Sequence, residues 1–148
     1  MTSTRACTHK SLMAEVSQEA LERLAGYWGR AQIMRGHFQD FINSYGGIRK
    51  AVAKGNGLRL ETYLSFWMAA LFVAVNGFNK LKLKDARVQQ LFREHLNDLK
   101  QLRHETYHFT VSREKGRKAI HAINWVEELH IALGLFIKQH VDIDGIDR

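Results

Sequence analysis

Residues 85–109, DARVQQLFREHLNDLKQLRHETYHF, decide how the fold is read. Val88, Leu91, Phe92, His95, Leu96, Leu99, Leu102 and Thr106 recur at the three-and-four spacing that puts side chains on one face of an α-helix. Asp85 stands where an N-cap belongs, because a short carboxylate can accept from the unpaired amides of a first turn. The same stretch ends in Arg103, His104, Tyr107 and His108, so the last turns of an amphipathic helix carry a concentration of cationic, titratable and aromatic groups.

Outward from this helix the pattern repeats. Residues 11–25 place Leu12, Val16, Ala20, Leu21 and Leu24 on one stripe, with Ser11 as expected cap and Gly26 as expected stop. Residues 29–44 repeat the stripe with Ile33, Met34, Phe38, Phe41 and Ile42, and the two segments can also be joined as one kinked helix. Residues 48–54, bracketed by glycines, read as a loop or a single helical turn. From 58 to 78 apolar side chains, Phe66 and Val73 among them, cover almost the full circumference, which predicts a central helix, and the basic run 77–84 turns the chain back. The last segment, 117–139, is expected to bury Ile120, Ile123, Val126, Leu129, Leu133, Phe136 and Ile137. Trp125, Ile131 and Leu135 lie outside that stripe and predict a second covered face. With no proline and no repeat, the fold class is all-α, a bundle of four to five helices.

The totals bound the function. A chain of 148 residues fits one domain and buries roughly two thirds of its unfolded surface, so it needs neither disulfides nor a structural metal. We expect an N-terminal arm at 1–10, a helical domain at 11–140 and a tail at 141–148. Cys7 is the one cysteine, so no disulfide forms within the chain. Arg5 and Lys10 without an apolar run exclude a standard signal peptide over the first residues, and cytosol is the expected location. The apolar run 63–78 falls short of the roughly 20 residues of a membrane span, so no membrane partner is expected. A net charge of +7 favours polyanions. The basic residues come in groups, Arg49, Lys50, Lys54 and Arg59; Lys80, Lys82, Lys84 and Arg87; Arg113, Lys115, Arg117 and Lys118. Nucleic acid is therefore the favoured partner.

Residues 102–109, LRHETYHF, resemble the R-x4-6-H motif of the HEPN domains, in which the arginine is often followed by Asn, Asp or His and the histidine is flanked by aromatics. The resemblance implies a HEPN-like helical bundle that cuts RNA as a homodimer without a metal or other cofactor, often as a toxin or defence component held by an antitoxin protein. Arg103 and His108 would then be catalytic. His108 would move a proton at the ribose 2′-OH or the 5′-oxygen, and Arg103 would neutralise charge on the phosphorane, leaving a 2′,3′-cyclic phosphate. His104, Tyr107, Arg113, Lys115 and Lys118 are expected to support catalysis or hold phosphate. Some members carry a tyrosine two places after the histidine, which a partner nucleotidyltransferase modifies. Thr110 stands there in this chain, which argues against that route of inhibition.

Helical geometry adds a condition. Five residues apart, Arg103 and His108 point about 140° away from one another on an unbroken helix. Either the helix deforms near Thr106 or a second copy brings its own group across a two-fold axis. Glu105 would oppose an anion beside Arg103 unless it points away or pairs with Lys100 or Arg103. A non-catalytic helical module that binds RNA or protein is the alternative reading. A zinc site on His104 and His108 is disfavoured, since the H-E-x-x-H order is absent. His37, His95 and His130 read as core or boundary residues, and Tyr27, Trp28 and Trp67 as packing.

Overall fold

A computed structural model describes residues 16–108 and 115–144, with no side chains described at 115–119. Five helices are present among the described residues: α1 (Gln18–Tyr45), α2 (Ile48–Ala53), α3 (Gly57–Lys80), α4 (Ala86–Tyr107) and α5 (Lys115–Lys138). They pack as an all-α bundle, with no strand among the described residues. The expected arm at 1–10 and the expected cap Ser11 lie outside these residues.

The first two expected segments are one continuous helix. Ser17 caps α1 by accepting from the Ala20 amide at 3.1 Å, and the helix runs through Gly26 rather than stopping there. A glycine in a helix interior costs about 1 kcal/mol relative to alanine, an amount offset here by the burial of Leu21, Leu24, Ala25, Trp28 and Phe38 on either side of it. The stop comes at Gly46, whose φ of 74° lets the Gly47 amide reach back to the Ile42 carbonyl at 3.0 Å. The segment expected as loop or single turn forms the six-residue helix α2.

Helix α3 is the axis, touching each of the other four. Leu64, Trp67, Met68, Leu71, Val75 and Phe78 are essentially without solvent contact. The helix extends beyond the apolar run at both ends to 24 residues, so the length argument against a membrane span does not hold. By length and composition both α3 and the Ile120–Lys138 part of α5 could cross a membrane, and half of each apolar window is covered inside the bundle. Cover is not complete around α3. Phe66 and Val73, expected inside, are 40 % and 36 % exposed, because they lie between the side held by α1, through Tyr63 and Phe41, and the side held by α4, through Ser65 and Phe72.

Asp85 caps α4, its carboxylate accepting from Val88 N at 2.9 Å. The stripe of α4 is buried through Val88, Leu91, Leu99 and Leu102. In α5, Val126, Leu129, Leu133, Phe136 and Ile137 are buried as expected, while Ile120 is exposed, the core contact starting at Ala122. Trp125 is covered on one side by the His95 ring, stacked at 4.3 Å. Ile131 and Leu135 remain exposed, so the second face predicted for this helix is covered at Trp125 and open at the other two. Val141 and Ile143, past the expected domain edge, pack on the same core.

Candidate functional site

Helix α4 holds its regular form through Tyr107, and Thr106 returns its hydroxyl to the Leu102 carbonyl at 2.7 Å. The deformation near Thr106, one of two ways to bring Arg103 and His108 together, is therefore absent. The backbone leaves the helix at His108, which takes up φ −126° and ψ 139° while its amide still bonds the His104 carbonyl at 3.0 Å.

This ending sorts the side chains. His108 stacks on His104, with ring centroids 4.5 Å apart and planes at 27°. Arg103 leaves on the other side, its guanidinium carbon 5.7 Å above the Phe72 ring of α3. Tyr107 meets Phe66 edge to face at 6.0 Å. Arg103, His104, Tyr107 and His108 are all solvent-exposed, and within one chain the arginine and the terminal histidine have different neighbours. Arg113 lies outside the described residues, as do the side chains of Lys115 and Lys118.

Glu105 turns away from the arginine. Two positions on, it sits about 200° round the helix from Arg103, is 8 % exposed and accepts from Gln101 Nε2 at 3.0 Å. Its charge therefore does not stand beside the guanidinium. Phe66 and Phe72 complete the surroundings, and sequence pattern did not assign them to the site. Their signal was present only as aromatic positions on an apolar helix, which core packing explains equally well until the neighbours are known.

A second cluster joins α1, α3 and α5. His130 is 1 % exposed, Trp67 Nε1 donates to its Nδ1 at 3.3 Å, and its Nε2 lies 2.6 Å from Gln32 Oε1. The Trp67 donor requires Nδ1 to be the acceptor, which makes Nε2 the protonated nitrogen that donates to Gln32. Burial, with the nearby Arg35 charge adding to it and Glu127 opposing, holds the imidazole down to about 4. Arg35 is itself clamped by Glu127, with Nε to Oε2 at 2.8 Å, and that hydrogen bond raises the guanidinium above its ordinary value. A shifted histidine beside a cavity of about 160 Å³ invites a catalytic reading. Both ring nitrogens are already engaged, however, so the group serves as a bolt between helices.

Among the described residues no three His, Cys, Asp or Glu side chains converge to hold an ion. His37, expected at a core boundary, is exposed and stacks on Tyr63, while His130 is buried and His95 half-buried. Trp28 and Trp67 are core residues as expected, and Tyr27 is 42 % exposed beneath Arg30. No family model matches the chain, and neither does any curated protein or solved structure.

Proposed function

We propose that this protein is an endoribonuclease of the HEPN type, which acts without a metal and whose active site is assembled from two copies of the chain. The observation that carries the reading is the end of α4, where Arg103, His104, Tyr107 and His108 all stand in solvent on a regular helix with Glu105 withdrawn. A guanidinium has the planar fork that fits phosphate oxygens, and an imidazole exchanges protons near neutral pH.

In the proposed reaction His108 removes the 2′-OH proton and the 2′-oxygen attacks the adjacent phosphorus. Arg103 neutralises the charge that builds on the non-bridging oxygens. The 5′-oxygen leaves with a proton supplied by a second acid, giving a 2′,3′-cyclic phosphate and a 5′-hydroxyl. Since α4 does not bend, one chain directs Arg103 and His108 to different sides, and a two-fold pairing supplies the missing group.

Incubation of the purified protein with end-labelled RNA in EDTA tests the proposal. Cyclic-phosphate products are expected. Binding without cleavage would instead establish the non-catalytic module, a reading favoured by the separation of Arg103, at Phe72, from His108, at His104. Activity that disappears under chelation would replace the metal-free mechanism.

A further inference from the structure

Four residues of α3, Arg59, Phe66, Val73 and Lys80, follow one another at seven-residue steps, and all four are exposed. On α4, Arg93, Lys100, Arg103 and Tyr107 fall on one face at intervals of seven, three and four, and these are exposed as well. The contacts between Tyr107 and Phe66 and between Arg103 and Phe72 put the two stripes side by side on one surface of the bundle. From Arg93 to Tyr107 the helix rises about 21 Å.

The chemistry of this strip is one-sided. Its two stripes carry five cations, of which Arg59 leans over the Phe41 ring of α1 at 5.9 Å, and no carboxylate, because Glu94, Asp98 and Glu105 lie on another face of α4. None of the five forms an ion pair among the described residues, whereas Arg23, Arg35 and Arg87 elsewhere are each paired with a glutamate. Near His108 the strip holds two half-open aromatic rings, Phe66 at 40 % and Tyr107 at 57 % exposure, with Arg59 beyond them and the other four cations on the side leading away from His108. Cations in a row with aromatic faces among them suit a flexible polyanion whose bases are free to stack. A duplex keeps its bases stacked on one another and offers these rings nothing.

We propose that the α3/α4 face is a track for single-stranded RNA, in which an unpaired base stacks on the open face of one of the two perpendicular rings, Phe66 or Tyr107, while the phosphates run along Arg103, Lys100 and Arg93. The proposal rests on the RNA-cleaving reading above and gives its substrate as an unpaired strand entering along α4. Stacking at the aromatic end would set the base beside the linkage held by Arg103, with the histidine supplied by a second copy as proposed above.

The test is fluorescence anisotropy with a labelled, fully 2′-O-methylated oligouridylate, which cannot be cut through a 2′-OH, against a blunt RNA duplex of equal length. The single strand binds more tightly to the wild-type protein. The double variant Phe66→Ala, Tyr107→Leu weakens it roughly five- to hundred-fold, the range expected for losing one stacked base. Phe66→Tyr keeps the π-face and keeps the affinity. In Arg93→Gln, Lys100→Gln the slope of log affinity against log salt falls by about 0.7 for each phosphate no longer neutralised. Equal binding of strand and duplex overturns the track. So does unchanged affinity in the Phe66/Tyr107 variant with helix content intact, an outcome that assigns the face to a protein partner. Cleavage of unmodified RNA is scored separately. If the wild type does not cut but the aromatic variant loses binding, the track stands and the nuclease falls; intact cutting with no effect of the variant on binding gives the reverse.

Discussion

Trp67 Nε1 donates to Nδ1 of His130 at 3.3 Å across the centre of the bundle, and this bond fixes which nitrogen of a buried ring carries the proton. With Nδ1 occupied as an acceptor, a second proton on the ring would break the bond and leave a charge without water. Burial, with the Arg35 charge adding to it and Glu127 opposing, keeps the imidazole neutral down to about 4, against 6.5 for an ordinary histidine.

That difference predicts a pH dependence of stability. Above pH 6.5 both folded and unfolded states hold His130 neutral and it adds no slope. Between 6.5 and about 4 the unfolded chain takes up a proton that the folded one refuses, so stability falls with pH by about 3 kcal/mol and levels off below. Urea titrations at several pH values check it. His130→Gln should remove this part of the slope, and an unchanged slope in that variant would refute the assignment.

Glycines in the helices divide into two kinds. A Cβ at Gly134 would sit 2.6 Å from Trp28 Cζ2, in a buried ring whose Nε1 is tied to the His130 carbonyl at 3.1 Å. Gly134→Ala is therefore expected to cost about 1–3 kcal/mol through overpacking, exceeding the gain in helix propensity. At Gly26 nothing lies within 4 Å, and Gly26→Ala should stabilise by about 0.5–1 kcal/mol. Thermal melts of the two variants should move in opposite directions.

The cap of α4 offers a local probe. Asp85→Ala leaves the Val88 amide without its partner and should cost about 1 kcal/mol. Asp85→Asn should recover most of that loss in chemical denaturation, since the amide oxygen can accept the same bond.

Arg103→Ala and His108→Ala are each expected to lower RNA cleavage by about a hundredfold or more while leaving circular dichroism unchanged, because both side chains are exposed. Mixing the two inactive variants gives a sharper result. If two chains build the site, heterodimers combine an intact arginine with an intact histidine and recover part of the activity; no recovery at any mixing ratio would argue against a shared site.

Much of this architecture was legible from local pattern. The spacing from Val88 to Thr106 and the carboxylate at Asp85 place α4 to within a residue or two, since cap and stripe are properties of neighbours along the chain. The same reasoning put Trp28 and Trp67 inside. It failed at Gly26, where contacts with distant helices outweigh a weak local preference, and at Phe66, Val73 and Ile120, whose apolar character says nothing about whether a neighbour arrives to cover them.

By itself the sequence determined that the chain is helical, basic and without a disulfide between its own residues, and that an arginine, two histidines and a tyrosine close one amphipathic helix. Tertiary structure alone decided that Glu105 turns inward, that Phe66 and Phe72 of α3 flank that helix end, and that His130 is sealed between Trp67 and Gln32. Periodicity states which side of a helix prefers cover. Which residue provides it, from tens of positions away, depends on how the helices settle against each other.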